Sequence, residues 1–276
     1  MGCIAVVIVT YNSDKFFSNC LTALEQQSRR PDQVVIVDAG STNTAYLKRA
    51  DESTLQCSVV LESNVGFAAG CNIGWNLSRD HEFVLFLNPD AFLTPDFISH
   101  AVQYLKEGGN QRVGMMTGTL LGYDIERERP TGLVDSTGVM HTWYGQSIDR
   151  DQGKAISVLE KYRRPNPVPA ICGAVLLARN AVLNALAKKN GLFDPDYFMY
   201  KEDIDLSWKA VHAGWTLIHH PGLTVYHCRG WKGRHAVSRK MRMLSARNDI
   251  KLFVRFHSPY LIYALLKYGL VWALDI

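Results

Sequence analysis

Up to about residue 105 the chain alternates short apolar runs with longer stretches of mixed apolar and polar positions. That alternation is the pattern of βαβ units around a buried parallel sheet. "CIAVVIVTY" (3–11) predicts the first strand, "DKFFSNCLTALEQQS" (14–28) a helix opened by Ser13 or Asp14 as N-cap, and "DQVVIVD" (32–38) the second strand. A helix over 42–51, a strand at "CSVVLES" (57–63), a Gly-interrupted helix over about 66–78 and a strand at "EFVLFLN" (82–88) follow. Every one of these strands ends in polar residues: Thr10-Tyr11-Asn12, Asp38, Glu62-Ser63-Asn64 and Asn88-Pro89-Asp90. Open α/β sheets bind ligands beyond the carboxyl ends of their strands, so the four endings are expected to ring one site.

The pattern then changes. Residues 122–166 are polar, rich in Gly, Asp and Arg and without a clear period, which reads as a long irregular excursion over the sheet. Order returns with "VPAICGAVLLARNAVLNAL" (168–186), a strand and a helix, and with "FDPDYFMYKEDIDLSWKAVHAG" (193–214), a loop feeding a helix closed by Gly214. "WTLIHH" (215–220) and "LTVYHC" (223–228) read as two short strands of a hairpin, and from 237 the chain is helical to its apolar end, "PYLIYALLKYGLVWALDI". The expected organisation is one α/β domain over 1–236, with halves 1–105 and 106–236, and a helical extension over 237–276.

Composition bounds the partners. The 276 residues are 47% hydrophobic and 20% charged, enough apolar matter for a large core and far from a disordered chain. The net charge is only +4, but positive residues crowd Arg229 to Arg255, which suits a diphosphate or an acidic bilayer surface; no nucleic-acid partner is expected. Six scattered cysteines without a CxxC pair argue against a disulfide or zinc framework and for a reducing cytosol. The N-terminus passes directly into a strand without an export signal.

Several groups could carry chemistry. Asp38, at a strand end before small turn residues, can accept hydrogen bonds from a nucleotide or organise an Asx-turn. Gly66, Gly70 and Gly74 fall on one line of a helix, which permits close packing on the sheet, while the helix start near Gly66 can face a diphosphate. Asn88 and Asp90 flank Pro89 and offer oxygen ligands, the choice of a hard cation such as Mg²⁺ or Mn²⁺ that shares its shell with phosphate; a helix-capping turn is the structural alternative. Glu202, Asp203 and Asp205 precede a helix beside aromatic residues. Acids there favour the helix dipole, and a carboxylate among aromatic walls and other acids is raised toward a general base's range, with Asp203 the candidate. Of His219, His220 and His227, the last is placed to complete a metal shell with Asp90, and the first two read as structural. Arg229, Lys232, Arg234 and His235 lie on a Gly-broken loop that could close over phosphates or face solvent.

Taken together, "VVIVTYNS", "VVIVDAGST", "NVGFAAGCNIG", "FLNPDAF", "YFMYKEDIDLSWK" and "VYHCRG" resemble the family 2 glycosyltransferases of GT-A fold, and among them bacterial rhamnosyltransferases of cell-surface polysaccharide synthesis. The resemblance implies a Rossmann-like, mostly parallel sheet flanked by helices, with C-terminal helices added. It implies that Thr10, Tyr11 and Asn12 border the nucleotide, that Asp38 takes the base, and that Asn64, Gly66 and Phe67 lie against nucleotide and diphosphate. Asn88-Pro89-Asp90 stands where the family has DxD, with Asn88 in place of the first aspartate; Asp90 and His227 would hold the divalent cation. Glu202 would border the substrate, Asp203 would be the catalytic base, and Arg229 and Arg234 would meet the phosphates.

The activity implied is inverting transfer of a sugar, L-rhamnose from dTDP-rhamnose, to a saccharide or lipid-linked saccharide. By family position the acceptor side would include Asp135, Trp143, Tyr144 and "CGAVLL". The C-terminal apolar segment is shorter than the roughly 20 residues of a spanning helix and reads as an interfacial anchor on the inner face of the cell membrane, or as a core or dimer helix. A pyrophosphorylase and a non-catalytic glycan-binding subunit are the alternatives: "TYNSDKFF" is not the basic Gly-rich loop the first needs, and the intact Asp203 with Asp90 argues against the second.

Overall fold

The computed structural model describes residues 2–228 and 237–274. The early apolar runs form β1 (Ile4–Thr10), β2 (Gln33–Ala39), β3 (Cys57–Glu62) and β4 (Phe83–Leu87), with α1 (Asp14–Glu25) and α2 (Phe67–Asn76) between them. These strands pair in parallel in the order β3-β2-β1-β4. Every residue of β1 and β4 is buried, as a parallel strand covered on both faces requires. Alternation along β1 splits its side chains: Ile4, Val6 and Ile8 join the core that holds Phe17 and Phe97, while Val7 and Val9 join the core that holds Trp75 and Phe86.

After β4 come β5 (Ala91–Leu93), α3 (Phe97–Lys106), β6 (Val113–Asp124), β7 (Arg129–Ser136), β8 (Val139–His141), β9 (Ser147–Asp149) and β10 (Asn166–Pro167). Then follow β11 (Val175–Arg179), α4 (Asn180–Leu186), α5 (Glu202–His212), β12 (Thr216–His227), α6 (Arg239–Arg255) and α7 (Leu261–Leu274). β11 inserts antiparallel between β4 and β6, and β12 runs parallel to β6. The result is a ten-stranded mixed sheet in the order β10-β12-β6-β11-β4-β1-β2-β3, with β5 on β12 and β7 on β6. The expected α/β class, central sheet and C-terminal helices are all present.

The glycine line has a packing reason. A Cβ at Gly70 would come 2.8 Å from Val9, and one at Gly74 2.3 Å from Val7, so α2 can lie this close to β1 only without side chains there.

Three local readings change. The 122–166 stretch is not an irregular excursion: β7 extends the sheet, β8 and β9 pair as a hairpin, and Ser136 and Thr137 are fully buried. The two short strands around Pro221-Gly222 are one strand, β12, whose register on β6 shifts between His219 and Thr224; the proline lacks an N–H, so the chain bulges there instead of turning back. The helix over 42–51 is a shorter 3-10 turn, Ala45–Ala50. Ser13 occupies the N-cap of α1, yet its hydroxyl bonds Tyr11 and gives no cap hydrogen bond.

Candidate active site

In-register parallel pairing sets Thr10 opposite Asp38 at the carboxyl ends of β1 and β2. Asp38 is buried, and its oxygens accept from the Thr10, Ser41 and Tyr46 hydroxyls at 3.0, 2.5 and 2.9 Å and from the Ser41 amide at 2.8 Å. Burial alone would raise its pKa, but the Ser41, Tyr46 and Thr10 hydrogen bonds outweigh that and hold it low. The Asx-turn is therefore present, and a base N–H reaching this carboxylate has to displace one of those hydroxyls. Asn12 ties the neighbouring turn: its amide donates to Ser41 at 2.7 Å and its side chain accepts from Thr42 N–H at 2.9 Å. Tyr11 is half-exposed beside it. The Gly40 turn abuts Asn64, where an added Cβ would meet the Asn64 nitrogen at 2.6 Å. Gly66, at φ +81°, opens α2 against Phe198, whose carbonyl accepts from Ala68 N–H at 3.0 Å. One amide of that helix start is thus already taken.

A cleft of about 380 Å³ lies beyond β4 and includes Phe67, Asn88, Asp90, Glu202, Asp203 and His227 in its walls. β5 and β12 pair antiparallel with Ala91 opposite His227, which brings His227 Nε2 to 3.3 Å from Asp90 Oδ1. The other ring nitrogen lies 2.7 Å from Asp135 Oδ2. β7 and β12 both pair with β6, and that shared neighbour is what carries Asp135 to His227 across 92 residues of sequence. Burial disfavours a charged imidazole, but hydrogen bonds to Asp135 and Asp90 overcome it and lift the pKa to about 9.

The donor set fits a divalent cation. A carboxylate and an imidazole converge, and the imidazole's second nitrogen meets a buried carboxylate, the orienting partner a metal-bound histidine characteristically has. Among the described residues no group of three or more His, Cys, Asp or Glu side chains is placed to hold a metal alone. A diphosphate would have to supply the remaining ligands, as expected for a hard cation that shares its shell with phosphate.

Opposite stands the Glu202–Asp203 pair at the start of α5. The Gly173 and Ile204 amides each donate to Asp203 at 2.8 Å and so fix its orientation. Burial raises its pKa, with the Asp149 charge adding to that and the two amides and Lys201 opposing it. Burial, then the Asp203 charge, raises the pKa of Glu202 as well, and Glu202 Oε2 has no hydrogen-bond partner among the described residues. Asp205 plays another part: it is fully buried, with Lys209 and Arg255 at 2.6 and 2.7 Å, and it belongs to the scaffold.

The segment that delivers Asp203 is strained. Phe198, Tyr200 and Lys201 have φ of 61°, 70° and 74°, a left-handed region that costs of order 1–3 kcal/mol for each such residue. Asn248, buried on α6, holds it by donating to the Tyr197, Met199 and Tyr200 carbonyls, each at 2.9 Å. Lys201 in turn pairs with Asp249 at 3.2 Å, and Asp249 with Lys267 of α7 at 2.5 Å.

Sequence reasoning did not find Asn248; its only signal is a polar residue in the helical pattern of α6. Asp135 was expected on the acceptor side and instead lies buried behind His227. His219 is structural, bonded to Thr119 at 2.8 Å. Trp143 is largely exposed. Arg229, Lys232, Arg234 and His235 lie outside the described residues.

A mixed α/β sheet with a carboxylate-lined cleft at its strand ends has the architecture of a GT-A glycosyltransferase. The chain belongs to glycosyltransferase family 2, for residues 2–246 match the family described as "Glycosyltransferase like family 2". It is 26% identical over 248 residues to the N-acetylglucosaminyl-diphospho-decaprenol L-rhamnosyltransferase of Mycobacterium tuberculosis, covering 80% of this chain and 75% of the relative. The O-antigen chain rhamnosyltransferase RfbN of Salmonella typhimurium is 26% identical over 105 residues, 38% of this chain and 33% of that one. Among solved structures, GalNAc-T7 with UDP, GalNAc and Mn²⁺ superposes with a TM-score of 0.70 at 17% identity, over 99% of this chain and 52% of its own. The mannosyltransferase PcManGT of Pyrobaculum calidifontis, with GDP-Man and Mn²⁺, gives 0.60 at 17% identity, over 99% and 71%.

Proposed function

We infer that this glycosyltransferase moves L-rhamnose from dTDP-rhamnose, with inversion at the anomeric carbon, to a saccharide or lipid-linked saccharide in the synthesis of a cell-surface polysaccharide. The observation that carries the reading is the single cleft in which Asp90 and His227 face the Glu202–Asp203 pair. One wall suits a cation-bound diphosphate and the other a proton acceptor. Rhamnose as the donor sugar is supported by the names of two relatives, and a lipid diphosphate acceptor by the name of one.

In the reaction Asp203 removes the acceptor hydroxyl's proton as that oxygen attacks the anomeric carbon, through an oxocarbenium-like transition state. The Gly173 and Ile204 amides keep the carboxylate aimed. Burial, then the Asp203 charge, raises the Glu202 pKa, so the two carboxylates resist carrying charge together. Asp90 and His227 would hold Mg²⁺ or Mn²⁺, with Asp135 orienting the imidazole. Mn²⁺ in two structural neighbours supports a divalent cation; when bound it neutralises charge on the departing nucleoside diphosphate.

Thr10, Tyr11, Asn12, Asp38, Asn64, Gly66, Phe67 and Asn88 border the donor, in the half formed by residues 1–105, and Arg229 and Arg234 are assigned to the phosphates from sequence. Residues 106–236 make the acceptor half and 237–276 the extension. No helix among the described residues is long and apolar enough to cross a membrane. Exposed Leu265, Leu266 and Trp272 on α7 and the basic residues of α6 support contact with the inner membrane surface.

The test is a donor screen of dTDP-rhamnose against UDP- and GDP-sugars, for hydrolysis and transfer, with and without EDTA, in the wild type and in Asp203→Asn. The expected result is a preference for dTDP-rhamnose, loss with EDTA, and a fall of about 10²–10⁴-fold in Asp203→Asn. A UDP-sugar preference overturns the rhamnose assignment, and unchanged turnover in the variant overturns the base.

A further inference from the structure

Beside the catalytic cleft lies a second, larger cavity of about 710 Å³, and the two share Tyr200 and Ser245 in their walls. Much of its wall is apolar, with Met241 of α6 and Leu266, Leu270 and Val271 of α7 beside the longer stem of Lys267. A hydrated saccharide gains little from such walls, whereas each methylene they shelter from water is worth about fourfold in affinity.

Two further observations bear on what belongs there. Exposed Leu265, Leu266, Leu270 and Leu274 continue the apolar surface along α7, so a hydrocarbon chain leaving the cavity stays on apolar ground. In the sequence, α6 opens with Arg239, Lys240, Arg242 and Arg247 and has no acid before Asp249. Arg242 also lines the cavity, so an anionic head enters a positive field. A hydrocarbon chain with a phosphate head satisfies both conditions; a bare glycan satisfies neither.

We propose that this cavity is the lipid subsite of the acceptor. It takes the hydrocarbon chain of a lipid diphosphate, whose diphosphate lies at the Tyr200–Ser245 junction and whose sugar enters the cleft toward Asp203. This rests on the glycosyltransferase reading above and adds to it the place and the residues that receive the lipid.

The test titrates inorganic pyrophosphate and butyl, octyl and dodecyl diphosphate into the full chain by calorimetry, in the wild type, Leu270→Asp and Ile262→Asp. Leu270 is 47% exposed and Ile262 70%, so neither variant threatens the core, and Ile262 is not among the residues lining the cavity. In the wild type and Ile262→Asp, affinity rises at least about tenfold from butyl to octyl; in Leu270→Asp that gain is lost. A flat series, a gain that survives Leu270→Asp, or a gain lost equally in Ile262→Asp overturns the subsite. A flat series with a dimer that Leu270→Asp dissociates assigns the cavity to a second copy and overturns it too. Hydrolysis of nucleotide-sugars by the same wild-type preparation separates the two readings. Donor turnover with a flat series removes the lipid subsite alone; absence of turnover with every donor removes the glycosyltransferase reading.

Discussion

Replacing Asn248 by leucine keeps the branched shape of the side chain, with larger methyl ends, and removes the donor that holds the Asp203 segment. The amide's two N–H groups are shared among the carbonyls of Tyr197, Met199 and Tyr200. Tyr197 O also accepts from Met199 N–H at 2.7 Å, so the loss falls chiefly on the other two. Leaving two buried acceptors unsatisfied costs about 1–3 kcal/mol each, together about 2–6 kcal/mol. Three left-handed residues in the same segment store strain of order 1–3 kcal/mol apiece, so the segment relaxes once released. A domain stable by about 10 kcal/mol, the middle of the ordinary range, survives this loss, and its thermal midpoint falls by roughly 5–20 °C. The larger expected effect is on catalysis, because Asp203 lies just beyond Lys201 and Glu202 in the same segment and a displacement of about 1 Å at a reacting group costs on the order of 10²-fold. The assay pairs kcat of sugar transfer with calorimetric binding of the nucleoside diphosphate below the new midpoint. Asn248→Leu is expected to lose about two orders of magnitude in kcat while the nucleotide Kd changes by less than about threefold. A variant that melts early but turns over at the wild-type rate would show that α6 stabilises the segment without aiming Asp203.

Other predictions follow from the same geometry. Asp135→Asn removes the carboxylate behind His227 and should weaken Mn²⁺ binding about 10–100-fold by titration calorimetry; unchanged affinity would separate His227 from the metal. As the proposed base, Asp203 must be ionised, and its pKa is raised, so the acid limb of kcat/KM should lie above the ordinary carboxylate value of about 4; a midpoint at or below that value contradicts the proposed role. Glu202 has a folded pKa above its unfolded one, so its contribution to stability is complete below the unfolded value and is lost as pH rises through the folded value. Thermal midpoints should therefore fall less steeply over that window in Glu202→Gln than in the wild type. Gly74→Ala puts a methyl 2.3 Å from Val7 and should lower stability by about 1–3 kcal/mol in urea unfolding; an unchanged midpoint would mean that α2 lifts from β1 at no cost.

The legible part of the molecule was the part whose information is local. Strands β1, β2, β3 and β4 are short apolar runs punctuated by turn residues, and their polar ends pointed to Thr10, Asp38, Asn64 and Asp90 before any coordinates. Asn88, Asp90, Glu202, Asp203 and His227 do line one cleft. Thr10 and Asp38, proposed for the donor side, sit at adjoining strand ends, with the Asp38 carboxylate already engaged by its own turn. What escaped was set by long-range pairing. β7 and β8 have partners but no apolar alternation, and Pro221-Gly222 imitates a hairpin turn where β6 keeps one strand running. The Asp135–His227 contact exists only because both strands flank β6, and Asn248 acts on carbonyls 48 to 51 residues away. Neither relation leaves a period in the sequence.

The clasp of α6 on the catalytic segment also has a meaning in time. A chain is made from its N-terminus, and its early portions fold as they emerge. The parallel strands and the turns around Asp38 and Asn64 are synthesised long before Asn248 leaves the ribosome. The segment before Asp203 is clasped only when α6 arrives, so on the proposed reading a growing chain can meet its donor before it can spend it. On the proposed reading, the arrival of α6 is thus what turns a sugar-nucleotide binder into a transferase.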